Sequence, residues 1–524
     1  MINLIPMPSS HKMFDGYCFL GEKLTLKSDF DLPLVKLERS EKADITVTKD
    51  ASLPEEAYTL SIKQDGICIT AGTQTGAYYA LQSLRQISRY ELGVRRVPCC
   101  TVSDRPKYKW RGMQLDESRH FFGKDEVKRL LDLMFMMKLN VFHWHLTDDI
   151  GWRVEIDKYP LLTEIGSKRA YTQVNGWGSK EIDNTPHSGY YTKADVAEII
   201  EYAAQRGIMI VPEIDFPAHC ACVLAAYPEL ACREIKTEVP GYLGNTIPER
   251  VYGIKDWNRT ICVGKEKTIA FVLDIIDEIT DLFPAPYFHI GGDEAPKDEW
   301  KKCPHCQKVI KDNNLKDEED LQGWFNNIIC SHLNKKGKRL IGWNEVLKAG
   351  NLDKSVVVQY WTPQRDRNVE KYCKQGGSVI LSNHQSFYFD MPYAQYPLKN
   401  TYNYSPKKYR IDSKNSQNNV LGVEAEVWTE WIDCRERLDF MIFPRMQALA
   451  ENAWSDSDGK NFDGFMQRLS NFKPFFKLLD VNYAVDSVSM PKNHFERVKI
   501  RKKFHCGDTH LENKINKEKE EYIW

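Results

Sequence analysis

A (β/α)8 barrel preceded by a small α+β domain is the fold the sequence predicts, an α/β assignment resting on three observations. At 524 residues the chain is too long for one ordinary domain but suits a large barrel with a smaller partner. Its rhythm changes at Asp104-Arg105-Pro106, from short alternating strands to a repeated strand-then-helix pattern. Beyond that point eight candidate strands alternate with helical segments, the count such a barrel requires. A doubly wound open sheet is the alternative, but the chain offers no Gly-rich phosphate loop after a strand.

Residues 1–104 are expected to form the first domain. Ala43-Asp44-Ile45-Thr46-Val47 and Gly66-Ile67-Cys68-Ile69-Thr70 alternate as half-buried strands do, and Thr75–Leu84 carries apolar residues at helical spacing. The barrel is expected over 105–485, with strands at Arg111–Asp116, Val141–Leu146, Ile208–Asp215, Tyr287–Glu294, Arg339–Glu345, Ser355–Trp361, Ser378–Ser382 and Val420–Trp428. Between them, Lys124–Leu139, Phe271–Leu282 and Leu438–Ala450 are apolar on one side. Thr192–Gly207 opens on a Thr-x-x-Asp capping pattern and closes on glycine. Residues 486–524 are expected to be a solvated charged tail, ending in the Lys/Glu-rich run Asn516–Tyr522.

Composition narrows the function. Lys and Arg total 72 against 73 acids, so a net charge of −1 offers nothing to nucleic acid or an anionic membrane. No apolar run approaches the ~20 residues of a membrane span, and Met1–Pro6 lacks the basic and apolar regions of a signal peptide. A reducing cytoplasm is therefore expected, with the 14 scattered cysteines as free thiols. Cys303-Pro304-His305-Cys306 has the spacing of half a zinc site, but no second ligand pair is evident, so no metal is expected. The surplus is aromatic: 13 Trp and 25 Tyr.

In such barrels chemistry sits at the C-terminal ends of the strands. There the chain places Asp116 to His120; His143 to Asp149; Glu213 to His219; His289-Ile290-Gly291-Gly292-Asp293-Glu294; Trp343-Asn344-Glu345; Tyr360-Trp361; Tyr388-Phe389-Asp390; and Trp428 to Trp431. Every end carries carboxylates, His, Arg or aromatics. Side-by-side acids resist common ionisation, which holds one protonated for acid catalysis. Two chemistries fit. Metal-assisted hydrolysis would use His143, His145, Asp215 and His289, since His-x-His on a strand puts both imidazoles on one face. Glycoside hydrolysis would use paired acids within an aromatic wall. Metal sites are usually lean in tryptophan, so Trp343, Trp361 and Trp428 favour the sugar.

The motif His-x-Gly-Gly-Asp-Glu, with Trp110-Arg111-Gly112-Met113-Gln114-Leu115-Asp116-Glu117-Ser118-Arg119-His120 upstream, resembles the β-N-acetylhexosaminidases of glycoside hydrolase family 20. Lys138-Leu139-Asn140, His143–Asp149 and Pro444-Arg445 through Glu451 extend the resemblance over nearly the whole chain.

That resemblance implies a retaining exo-hydrolase without cofactor or metal, acting on oligosaccharides or glycoconjugates ending in β-linked GlcNAc or GalNAc. The substrate's own acetamide oxygen would be the nucleophile, giving an oxazolinium ion. It implies Glu294 as general acid and base, and Asp293 as the carboxylate that orients and stabilises the acetamide. His289 and Asp215 would be hydrogen-bonded support for Glu294, and His219 would hold Asp148 or Asp149. Arg119, Glu430 and Asp390 would bind sugar hydroxyls and Tyr388 the acetamide oxygen. Trp343, Trp361 and Trp428 would wall the pocket. Ala218, Asn344 and Val423 depart from the family pattern, which touches loop geometry and the reducing-side subsite. A disaccharide-releasing lacto-N-biosidase-like enzyme and a catalytically idle sugar-binding barrel are the alternatives.

Overall fold

The computed structural model describes residues 2–505 apart from 22, 92–93, 177–178, 244–258, 412–418 and 457–459. Eight parallel strands close a barrel: β1 (Trp110–Asp116), β2 (Val141–His145), β3 (Met209–Glu213), β4 (Tyr287–His289), β5 (Arg339–Trp343), β6 (Val357–Tyr360), β7 (Val379–Leu381) and β8 (Val420–Ala425). Seven lie within the expected segments, and β1 begins one residue earlier than expected, at Trp110. Parallel strands covered by helices read as nearly unbroken apolar runs, and every residue of β1 and β2 is buried. Among the described residues no helix is long and apolar enough to cross a membrane.

Three expectations are corrected in detail. β3 and β4 stop at Glu213 and His289, short of the acids expected to end them; after β4, Gly291 and Gly292 take φ values of +67° and +85° and turn the chain out of the sheet. The single helix expected at Leu438–Ala450 is two, Arg435–Ile442 and Arg445–Trp454, divided at Phe443-Pro444, where proline excludes the preceding residue from helical geometry. The start of the expected tail contains the helices Asp486–Ser489 and His494–His505, while Asn516–Tyr522 lies outside the described residues.

Before the barrel stands a mixed sheet whose central path runs Ser10–Leu20, Val94–Asp104, Tyr58–Lys63, Gly66–Ala71, Ile45–Lys49, Thr25–Ser28, Glu38–Arg39. The helix Gln74–Ile87, capped by the Thr73 side chain on the Gly76 amide, packs against it. Its Tyr79 ring meets the barrel's Trp454 edge-on at 5.3 Å.

Charge fastens this joint. Arg111 is wholly buried near the start of β1 and pairs with Glu56 of the first domain. Lys138, 1% exposed, reaches Asp104 at 3.0 Å and the Tyr58 hydroxyl at 2.8 Å. Asp104 also accepts from the Trp454 indole at 2.8 Å and the Ser9 amide at 3.0 Å. The recognisable Trp110-Arg111-Gly112 and Lys138-Leu139-Asn140 motifs are therefore structural. A Cβ on Gly112 would come within 2.0 Å of Glu424 Oε2, which accepts the Trp110 indole N–H at 2.6 Å. Asn140 ties the neck by accepting from the Arg111 amide at 3.0 Å and donating to the Lys109 carbonyl at 2.9 Å.

Removing one partner of a buried pair leaves an uncompensated charge. Asp104→Ala is expected to destabilise the chain by about 3–5 kcal/mol, read as a fall in the denaturant midpoint. Asp104→Asn, which keeps most acceptor geometry, should lose less.

Candidate active site

The barrel interior is layered. Trp110, Val141, Val211, Ile341, Val357 and Ile380 form a small apolar core of their own. Side chains alternate along a strand, so the next inward positions of β2 to β5 are His143, Glu213, His289 and Trp343. Parallel register sets the ends level: His145 pairs with Asp116 on one side and Glu213 on the other, and Glu213 pairs with His289. A polar layer thus sits on an apolar plug, opening toward the C-terminal end.

Glu213 is its centre. Oε2 lies 2.6 Å from His145 Nδ1, while Oε1 lies 2.8 Å from His289 Nδ1 and accepts the Trp343 indole N–H at 2.9 Å. Burial would raise this carboxyl, yet His289, His145 and His143 together hold it well below the usual range. His143 also lies 2.8 Å from Glu424, and despite burial the charges of Glu213 and Glu424 lift it to about 10. His145 spans Glu213 and Asp148, the latter at 3.1 Å from Nε2. Burial opposes its charge, but the two acids raise it well above an ordinary imidazole.

Asp148 extends the network in two directions. It lies 2.7 Å from Arg119 Nη2 and 3.2 Å from His219 Nδ1. Arg119 continues to Asp116 at 3.1 Å and Glu430 at 3.9 Å, with its guanidinium 5.2 Å from the centre of the Trp428 ring. His219 also approaches Asp149 at 3.4 Å, so both acids named for it from sequence attend it. Its Nε2 then faces the adjacent acids of the Gly-Gly-Asp-Glu motif, 3.5 Å from Asp293 and 3.9 Å from Glu294. Burial disfavours its proton, but Asp148, Asp215 and Asp293 raise it well above normal.

The two adjacent acids differ in setting. Glu294 has φ +44°, its side chain is 40% exposed, and burial together with Asp293 raises its pKa. Asp293 is 17% exposed at the side chain, and its Oδ1 is buried without a hydrogen-bond partner. Behind them the Gly292 amide donates to Asp215 Oδ1 at 3.3 Å, and burial plus the Asp293 charge hold Asp215 well above the usual carboxylate range.

Aromatic rings close the other side. Trp343 lies 5.8 Å from Trp428, which is 6.3 Å from Tyr388, which stacks on Trp361 at 5.8 Å. Asp390 carries a buried, unpartnered Oδ1, and burial and Glu430 raise it well above normal. Glu430 itself is raised to about 7 by burial, with Arg119 opposing.

The structure thus gathers Glu294, Asp293, His219, Asp215, Arg119, Trp343, Trp361, Tyr388, Asp390, Trp428 and Glu430 around one opening. His289 is the exception. As the last residue of β4 its side chain returns to the barrel interior, so it meets Glu213 rather than Asp215 or Glu294. The four ligands expected for a metal hydrolase also part company: His143 and His289 group with Glu213, whereas Asp215 groups with Asp148 and His219. Two acids noted at strand ends were given no role from sequence. Glu213 was one, because a strand carboxylate has no local signature of what it binds. Glu345, two residues past Trp343, accepts the Trp361 indole N–H at 2.9 Å, and burial with Asp293 nearby raises it to about 7.

Residues 108–457 match the model of the glycosyl hydrolase family 20 catalytic domain, and residues 19–105 match that of the family's domain 2. The chain belongs to glycosyl hydrolase family 20. The beta-hexosaminidase of Porphyromonas gingivalis is 37% identical over 493 residues, spanning 90% of this chain. This chain spans 60% of that relative's length. The Vibrio harveyi family 20 exo beta-N-acetylglucosaminidase, solved with N-acetylglucosamine, superposes with a TM-score of 0.81 at 30% identity, covering 92% of this chain and 78% of its own. The beta-N-acetylhexosaminidase of Bacteroides fragilis gives 0.79 at 30% identity, covering 94% and 99%.

The Gly-Gly of the motif has a local cause. A Cβ on Gly291 would lie 2.0 Å from Asp215 Oδ1, and φ +67° disfavours any side chain there. Gly291→Ala is expected to cost about 1–3 kcal/mol of stability through strain and overpacking, measured as a lowered midpoint of unfolding.

Proposed function

We propose that this chain is an exo-acting, retaining β-N-acetylhexosaminidase that removes terminal β-linked GlcNAc or GalNAc by substrate assistance. One observation carries the reading: a single imidazole nitrogen, His219 Nε2, attends both Asp293 and Glu294, while the two acids have unlike surroundings. Environments that push neighbouring carboxyls apart separate an acid from an anion. Glu294, half-exposed and with a raised pKa, is the group to hand a proton to the glycosidic oxygen and later take one from water.

Asp293 is the stationary partner. Its buried, unpartnered Oδ1 suits the acetamide N–H, and an anion held there stabilises positive charge developing on the oxazolinium ring. Its charge bears on Tyr388 and Glu345, which supports a seat for the acetamide among Tyr388, Trp361 and Trp343. Arg119, Glu430 and Asp390 end the pocket with polar groups for ring hydroxyls, which favours a terminal sugar over an internal one.

Wild-type protein should turn over aryl β-N-acetylglucosaminide or the galactosamine analogue. No turnover of either would overturn the reading. Glu294→Gln should lower kcat about 10²–10⁴-fold on substrates with poor leaving groups. Asp293→Asn should lose about 10²–10³-fold in kcat, together with affinity for a thiazoline mimic of the oxazoline; unchanged thiazoline binding would argue against substrate assistance.

The pH profile offers a further check. Glu294 must be protonated to act, so kcat/KM falls as pH rises through its raised pKa. Asp293 contributes to that rise, so Asp293→Asn should move the alkaline limb to lower pH.

A further inference from the structure

Four cysteines meet where the segment after β3 packs against the helices that follow the acid pair in the chain. Cys262 Sγ lies 3.6 Å from Cys303 Sγ and 3.7 Å from Cys306 Sγ, and Cys232 Sγ lies 3.8 Å from Cys306 Sγ. All four sulfurs lie within 4.8 Å of one another. Cys262, Cys303 and Cys306 are buried and Cys232 is half-buried, whereas His305, between the paired cysteines, is exposed. We propose that Cys232, Cys262, Cys303 and Cys306 hold one zinc ion in a closed, tetrahedral, all-cysteine structural site.

The spacing argues for an ion. With Zn–S bonds of about 2.3 Å, the edge of a ZnS4 tetrahedron is about 3.8 Å, matching the three separations above. A disulfide needs about 2.05 Å and joins sulfurs in pairs. Here Cys262 and Cys306 each stand close to two or more partners, which suits a shared centre. Binding would displace the thiol protons to solvent, leaving four thiolates around a dication.

The surroundings support the charge. The Lys265 ammonium sits next to the cluster, donating to the carbonyls of Glu229 at 2.9 Å and Ala231 at 2.8 Å. The backbone around the cluster is tightly set. Ala231 bridges Ile261, the Cys262 amide donates to the Leu230 carbonyl at 2.8 Å, and the Trp300 indole donates to the Ile261 carbonyl at 2.9 Å. A Cβ on Gly264 would collide with the backbone of His305 and Cys306 at 2.4 Å.

Such an ion would staple the segment after β3 to the helices Asp298–Lys302 and Pro304–Asp312, which follow the acid pair directly. Arg259, shortly before Cys262, donates to the Glu294 carbonyl at 3.1 Å and lies 3.4 Å from Asp149. The site would thus brace the backbone that presents Glu294 without touching the reacting atoms.

The test is metal analysis of the intact protein after exhaustive dialysis, expected to give about one zinc per chain. In Cys303→Ser/Cys306→Ser the zinc content should fall about tenfold, whereas Cys330→Ser/Cys373→Ser, altering cysteines outside the cluster, should retain it. Because the first variant can misfold, the wild type is also titrated with a mercurial thiol reagent and exchanged into cobalt. Zinc release in step with thiol modification, and the intense thiolate-to-cobalt absorption of a tetrahedral site, are expected. A wild type lacking stoichiometric metal, iron in place of zinc, zinc retained by the Cys303/Cys306 variant, or a cobalt form without thiolate absorption would each overturn the assignment.

Discussion

Everything at the barrel mouth depends on keeping opposite charges in alternation where water is scarce. Asp148 is the pivot. It receives Arg119, His145 and His219 at 2.7, 3.1 and 3.2 Å, so one carboxylate joins the Arg119 guanidinium to the imidazole facing the acid pair. Each charge in the chain Glu213, His145, Asp148, His219 is compensated by the next, and none could be buried alone at tolerable cost. The alternation ends at Glu294, which is more exposed and has the weakest claim on a compensating cation. That terminal position gives a carboxyl freedom to carry a proton.

Legibility in the sequence followed the physics of burial. The eight barrel strands could be read because both their faces are covered, leaving apolar runs that stop abruptly at polar residues. The capping box at Thr192 and Asp195 was legible because it is a contact between near neighbours in the chain. The split at Pro444 follows from proline chemistry, but continuous apolar periodicity on either side masked it. The two-residue strands of the loop after β2, such as Thr147–Asp148 with Gly151–Trp152, have no periodicity to find.

The candidate site divides the same way. Asp293 and Glu294 announced themselves as adjacent acids after glycines, and the aromatics as excess tryptophan at strand ends. His289 was misplaced because motif membership says nothing about which way a strand-end side chain points. Glu213 and Glu345 acquire meaning only from partners on other strands. The cysteines illustrate the limit: Cys262 meets Cys303 across 41 residues and Cys232 meets Cys306 across 74, so half of the cluster was visible as a spacing and half was not.

The joint between sheet and barrel has a bearing on how such chains diversify. Arg111 and Lys138 belong to the barrel, but their counter-ions, Glu56 and Asp104, are supplied by the preceding domain. A barrel passed on by itself would leave a guanidinium and an ammonium without their acids on the face the first domain now covers. A foreign first domain would serve only if it presented acids at the same two places. The two modules therefore travel best as a matched pair, since exchanging one alone separates two cations of the barrel from the acids that compensate them.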